Sequence, residues 1–191
     1  FKVLGLTSEE FPALPRFDDA REFRIEQQVL RDCLRKTSYA ISTDETRYVL
    51  NGILFSFKDN ALTMVATDGR RLAMVEQELE FPQSQEIDII VPTKAVNELS
   101  RLLEDSGEVA IRVTGSQVGF DLGDSLLVSK LIDGNYPNYR QVIPGDSKER
   151  IPLEREAFLR AISRVSLLTT DKSNSIKFIF TPGSCEIVAS S

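Results

Sequence analysis

Histidine is absent from this 191-residue chain. Its absence removes the commonest general base, the Ser-His-Asp triad and most zinc sites. Cysteine is nearly absent. Cys33 and Cys185 belong to no CxxC pair, so they read as small buried residues in a reducing compartment rather than as a disulfide framework. Neither GxxxxGK[ST] nor GxGxxG occurs, which leaves no phosphate-cradling loop of those kinds. No apolar run is long enough to span a bilayer, and no signal peptide is visible. Asp171-Lys172-Ser173-Asn174-Ser175 begins like a calcium loop, but Ile176 sits where that loop needs glycine and no glutamate closes it. The acidic pairs Glu9/Glu10 and Asp18/Asp19 lie in linker-like sequence and read as solvated surface. No catalytic set, metal site or cofactor motif emerges.

What is present is repetition. Leu6-Thr7-Ser8-Glu9-Glu10-Phe11-Pro12-Ala13-Leu14 recurs 125 residues later as Leu131-Ile132-Asp133-Gly134-Asn135-Tyr136-Pro137-Asn138-Tyr139. Ile25-Glu26-Gln27-Gln28-Val29-Leu30 recurs 128 residues later as Leu153-Glu154-Arg155-Glu156-Ala157-Phe158. Two matches at nearly one spacing predict tandem domains of about that length. The phase places a first-domain tail at 1–20, a complete middle domain at 21–148 and the start of a third domain at 149–191. Phe1 is not an initiator, so the chain reads as a piece of a larger array. Turn-rich linkers at Leu14-Pro15-Arg16-Phe17-Asp18-Asp19 and Pro144-Gly145-Asp146-Ser147-Lys148 separate the units. Hydrophobic content of 41% and charged content of 27% are those of a soluble globular chain, and a domain of this size buries a core without staples.

Apolar spacing predicts helices over 27–42, 93–104 and 155–170. Val29, Leu30, Cys33, Leu34, Thr37 and Ile41 form the inward stripe of the first. Ala95, Val96, Leu99, Leu102 and Leu103 form that of the second, with Thr93 as its N-cap. Ala157, Phe158, Ala161, Ile162 and Val165 form the third. The opposite faces are basic. The net charge is −6, but these segments carry +2, 0 and +2, leaving −10 on the rest. Local sign matters more than net charge for a polyanionic partner.

Between the helices the period changes to two. Leu62, Met64 and Ala66 alternate, Asp68-Gly69 turns the chain, and Leu72, Met74 and Glu76 continue, a hairpin signal. Val109 to Val113, Val118 to Leu122 and Leu126 to Val128 predict a three-stranded meander. Residues 47–57 read as one long apolar strand, and strands precede the helices at 22–25, 86–91 and 150–153. The expected class is α+β: strand, helix, three strands, twice over, with helices on one face of antiparallel sheet.

Three stretches carry a resemblance. They are Arg47-Tyr48-Val49-Leu50-Asn51-Gly52-Ile53-Leu54-Phe55, Val65-Ala66-Thr67-Asp68-Gly69-Arg70-Arg71-Leu72-Ala73 and Lys130-Leu131-Ile132-Asp133-Gly134-Asn135-Tyr136-Pro137-Asn138-Tyr139-Arg140. Together, in this order, they resemble the bacterial DNA polymerase III β subunit, the sliding-clamp family, across essentially the whole chain. The resemblance implies the DNA-clamp fold, three domains per chain and a head-to-tail homodimeric ring with helices lining the hole. It implies a non-catalytic, cytoplasmic, nucleoid-associated processivity factor for DNA replication, without cofactor, metal or membrane. The implied partners are double-stranded DNA held without regard to sequence, the polymerase III α subunit, the clamp loader and other proteins carrying a clamp-binding motif.

The family inserts a short partner peptide into a hydrophobic pocket between its second and third domains. By similarity Leu50, Thr67, Gly69, Arg70, Arg71, Leu72, Pro137, Gln141 and Val142 fall on pocket positions. Arg70 stands where histidine is common and Gln141 where arginine is common, which bears on peptide preference. Arg31, Arg35, Lys36, Lys94, Arg101, Arg160 and Arg164 are the expected DNA-facing set. Read alone, residues 67–72 are a plain hairpin turn and the basic residues ordinary helix faces. A scaffold that binds only proteins, and an enzyme using carboxylates that meet only in space, are the readings from other classes.

Overall fold

The structure, a computed structural model, describes residues 16–145, 149–169 and 175–189, together with Lys2, Gly5 and Thr7. Glu9/Glu10, the first copy of the long repeat apart from Thr7, and Asp171–Asn174 lie outside the described residues. The chain divides into Phe1–Ile143 and Pro144–Ser191, each described by itself.

The first unit runs β1 (Arg21–Glu26), α1 (Gln27–Thr37), β2 (Gly52–Lys58), β3 (Ala61–Thr67), β4 (Leu72–Glu78), β5 (Ile87–Pro92), α2 (Thr93–Leu102), β6 (Glu108–Val113), β7 (Gln117–Asp121) and β8 (Leu126–Lys130). The strand, helix, three-strand order therefore occurs twice. The pairing is reciprocal. One antiparallel sheet is ordered β4-β3-β2-β5 and the other β1-β6-β7-β8, so each half lends its leading strand to the other half's sheet. Phe23 faces Ile111 in the β1–β6 register, and Phe55 faces Ile89 across β2–β5. Arg112 on β6 pins this exchange, pairing with Glu22 of β1 at 3.0 Å and Asp121 of β7 at 3.1 Å.

The helices and the inner sheet faces enclose one core. Phe23, Phe55, Phe57, Phe120, Leu30, Leu34 and Leu99 are fully buried in it. Phe23 stacks on Phe57 with ring centroids 3.8 Å apart. Deleting such a ring costs about 3–5 kcal/mol. Buried Gln27, the first residue of α1, ties the halves together: its Oε1 accepts from Glu104 N at 2.9 Å and its Nε2 donates to Glu108 O at 3.4 Å.

Several expectations need correction. The helices are shorter than predicted. α1 stops at Thr37, whose Oγ1 donates back to Cys33 O at 2.8 Å, and a 3₁₀ turn follows. α2 stops at Leu102, because Leu103 turns extended and enters the core; Leu102 itself is 40% exposed. Thr93 is not the N-cap of α2. It is the first helical residue, and its hydroxyl donates to Asn51 O at 2.7 Å. The expected strand at 47–57 begins only at Gly52. Asp44 accepts from Thr46 N at 3.0 Å and starts a 3₁₀ segment over Glu45–Leu50, kinked at Arg47. Gly52 is required by close approach, since a Cβ there would meet Val91 O at 2.3 Å.

The second unit contains α3 (Arg155–Ser166) and the hairpin of β9 (Ile176–Thr181) and β10 (Ser184–Ala189). The Glu154 carboxylate caps α3, accepting from Glu156 N at 2.9 Å. α3 ends four residues short of expectation, and Ala157 is exposed rather than inward. Residues 150–153 form no strand. In the first unit the corresponding β1 is a strand through its pairing with β6, and among the described residues no strand pairs with 150–153.

Candidate functional site

The turn between β3 and β4 is built by its own side chains. Thr67 Oγ1 donates to Arg71 O at 2.7 Å and accepts from Gly69 N at 3.0 Å. Asp68 Oδ1 accepts from Arg70 N at 2.9 Å and from Arg71 N at 3.0 Å, while Oδ2 takes Arg71 Nε at 3.1 Å. Those backbone donors, led by Arg70, hold the Asp68 carboxyl below its ordinary pKa. Gly69 has φ +83°, a conformation that favours glycine. The Arg71 guanidinium sits 5.7 Å from the ring centre of Tyr39. The turn is thus braced by five hydrogen bonds of its own and carries two exposed arginines against one aspartate.

Leu72, leaving the turn, is half-buried and packs against a second, small core on the outer face of the β2–β5 sheet. Its buried members are Leu54, Val65 and Ile90. Val49, Leu72, Ile132, Tyr136 and Tyr139 close over them. The segment after β8 reaches this face because Ile132 N donates to Ile90 O at 3.0 Å. Covering explains why β2 reads as continuous apolar sequence rather than alternation. Gly134 has φ +129° and lies so near Val49 that a Cβ would meet its Cγ1 at 2.9 Å.

The structure thus brings Thr67, Gly69, Arg70, Arg71 and Leu72 into one turn, with the loop bearing Pro137 on the same sheet face as Leu72. It treats the remaining expected groove residues differently from one another. Leu50 is only 5% exposed, at the end of the 3₁₀ segment. Val142 is 69% exposed, and Pro137 and Gln141 are exposed. A cleft of about 780 Å³ is lined by residues that include Leu54, Lys58, Asp88, Ile90, Tyr136 and Arg140; of the expected groove residues only Pro137 lines it.

Tyr136 was not singled out by the sequence. Among the described residues its buried hydroxyl has no partner of normal hydrogen-bond geometry, though it lies near the backbone of Thr67, and burial pushes its pKa up to about 12. Tyr136→Phe removes an unsatisfied group and is expected to leave stability unchanged or raise it by about 1 kcal/mol in urea unfolding. The pH dependence carries a sign. An unfolded tyrosine ionises near 10.0, whereas the folded one keeps its proton to about 12, so stability is full below pH 10 and falls above it. The phenylalanine variant should show a flatter alkaline limb.

The expected DNA-facing residues occupy three helices. On α1, Arg35 and Lys36 are exposed in the last turn, where cations suit the helix dipole. Arg35 pairs loosely with Asp32 at 3.1 Å. Arg31 is committed elsewhere, pairing with Asp105 and donating to Leu103 O at 3.5 Å. On α2, which packs beside α1, Lys94 is exposed and Arg101 pairs with Glu98 at 3.0 Å. Arg160 and Arg164 are exposed on α3 in the second unit. Among the described residues no cluster of three or more potential metal ligands occurs, and no helix is long and apolar enough to cross a membrane.

Comparisons with known proteins bear on this arrangement. Residues 24–138 match the family described as DNA polymerase III beta subunit, central domain. The chain is 35% identical over 189 residues to the beta sliding clamp of Chlamydia trachomatis, covering 99% of this chain and 45% of that protein. It superposes on the DNA polymerase III subunit beta of Pseudomonas aeruginosa with TM-score 0.89 and 33% identity, over 95% of this chain and 50% of that one. A P. aeruginosa sliding clamp bound to griselimycin matches with TM-score 0.88 and 31% identity, over 96% and 54%. The chain spans about half the length of the curated relatives it matches. On the strength of the central-domain match and the shared α+β clamp fold, this chain belongs to the family of the bacterial DNA polymerase III β subunit.

Proposed function

We propose that the chain is part of a sliding clamp, a non-catalytic processivity factor that encircles duplex DNA and tethers replication proteins to it. The observation that carries this reading is collinear similarity to beta sliding clamps along 99% of the chain, on a fold whose helices carry exposed cations. In this reading residues 1–20 end a first domain, 21–148 form the middle domain and 149–191 begin a third. The full-length protein closes head to tail as a homodimer in the bacterial cytoplasm. Arg35, Lys36, Lys94, Arg101, Arg160 and Arg164 contact phosphates, with Arg31 playing a lesser part because Asp105 occupies it. The groove formed by Leu50, Thr67, Gly69, Arg71, Leu72, Pro137 and Val142 takes a linear peptide, and Arg70 and Gln141 tune its preference. The polymerase α subunit, the clamp loader and other motif-bearing proteins supply such peptides.

The test is topological. Full-length protein loaded on nicked circular DNA should stay bound at a salt concentration that strips it from linear DNA, and cutting the circle should release it. Equal loss from circle and line would overturn encirclement and favour a scaffold that binds only proteins.

A further inference from the structure

Arg47 belongs to a stretch that marked the family, yet the groove assignment gives it no role. The structure places it at a junction. It sits in the 3₁₀ segment Glu45–Leu50, which ends on groove residue Leu50, at the one position whose backbone departs from helical geometry, with φ −111° and ψ 55°. Its side chain leaves that segment and reaches the turn that carries Thr67, Gly69, Arg70, Arg71 and Leu72. Nε donates to Asp44 Oδ2 at 3.1 Å, and Nη1 donates to Asp68 O at 3.4 Å. Asp44 is itself fixed by Thr46, whose N and Oγ1 lie 3.0 and 2.6 Å from Oδ1. The guanidinium therefore has one anchored end and one end on the turn.

The contact is close. A Cβ on Gly69 would fall 2.7 Å from Arg47 Nη1, so the arginine lies across the face that glycine leaves open. The next two residues continue the pattern on another side. Val49 Cγ1 and Tyr48 Oη lie 2.9 and 3.5 Å from the place of a Cβ on Gly134, in the loop that carries Pro137. Arg47-Tyr48-Val49 thus touches both of the other segments assigned to the groove.

We infer that Arg47 is a positioning residue, a strut from the Asp44-capped segment to the Asp68 carbonyl that fixes the rim of the peptide groove against Leu50. This rests on the groove reading above. A guanidinium suits the task because its planar fork engages a carboxylate and a carbonyl at once, which an ammonium on a flexible stem does poorly. The strut is half-exposed, so its loss leaves the core intact and acts on the spacing of the groove.

The experiment uses griselimycin as probe, titrated against full-length protein and against Arg47→Met, Arg47→Lys, Gly69→Ala, the Arg47→Met/Gly69→Ala double variant and Leu72→Asp, with thermal unfolding measured for each. Arg47→Met, which keeps the apolar stem, should weaken binding about five- to tenfold with the unfolding midpoint little changed. Arg47→Lys should recover part of that loss. Gly69→Ala should hurt less in the Met background than in the parent, because its methyl no longer meets the guanidinium, and this non-additivity reports the contact itself. Parental affinity in Arg47→Met, alongside lost binding in Leu72→Asp, overturns the strut while leaving the groove standing. Additive effects of Arg47→Met and Gly69→Ala overturn it as well. Intact binding in Leu72→Asp overturns the groove, and this inference falls with it.

Discussion

Full-length protein carrying Arg35→Glu, Lys36→Glu and Arg160→Glu is expected to lose retention on nicked circular DNA by at least about a hundredfold at low salt. Each phosphate contact releases counterions at a slope of about −0.9 per contact in log K against log salt, so three lost contacts flatten that slope by roughly 3. Reversal adds repulsion to the loss. The choice of residues follows the structure. Among the described residues Arg35 has only an exposed partner one helical turn away, an ion pair of the kind that contributes little. Lys36 and Arg160 are exposed. Arg31 is left out because reversing it would also break its contacts to Asp105 and Leu103 O, mixing a folding defect with a binding one. Glutamate in the last turn of α1 opposes the helix dipole by about 0.3–1 kcal/mol per site. Glutamine variants separate that cost from the charge effect, and far-UV melting curves verify the fold. Parental retention with an unchanged salt slope would remove these helices from the DNA interface.

The sequence exposed whatever depends on neighbours along the chain. Helices were legible because Leu30, Cys33, Leu34 and Thr37 recur at helical spacing, and the 67–72 turn because Asp68-Gly69 separates two alternating runs. What depends on distant contacts was not legible. Nothing local says that β1 pairs with β6 rather than with its own half, since the partner lies more than eighty residues away and leaves no mark on the sequence of β1. The apolar run at 47–57 looked like one strand because burial of both faces erases period two, and because the break at Glu45–Leu50 is set by the single capping carboxylate of Asp44. A capping serine or threonine at a helix start is a good prior, yet Thr93 spends its hydroxyl on Asn51, forty-two residues earlier.

The candidate groove divides along the same line. Its turn could be read, since Thr67, Asp68 and Gly69 bond within a few residues of one another. Its bracing could not. Arg47 meets Asp68 across 21 residues, and Arg71 meets the Tyr39 ring from another element. Tyr136 looks like an aromatic in a turn, and only the fold reveals that its hydroxyl is enclosed. The partner of Arg31, 74 residues away, was equally invisible, and it divides a basic face that composition treats as uniform.

Leu72→Asp is expected to reduce affinity for griselimycin, and for a linear peptide with bulky apolar anchors, by at least about thirtyfold, equal to about 2 kcal/mol. Leu72 is the half-buried apolar residue between the cationic turn and the covered core of Leu54, Val65 and Ile90, so a ligand lying along the turn would bury its own apolar side chain against Leu72 itself. An aspartate at that place keeps its charge in water and holds the groove hydrated, removing the gain that an anchor draws from desolvation. Leu72 is only half-buried, at the first residue of β4, so the substitution should cost the fold far less than it costs the groove. Leu72→Ala, which shortens the side chain without adding charge, should lie between parent and aspartate. Gly134→Ala gives a contrasting loss, because its methyl would meet Val49 and its φ of +129° disfavours a side chain; it should lower stability and affinity together. A folded Leu72→Asp protein that binds both ligands with parental affinity would place the groove elsewhere on the molecule.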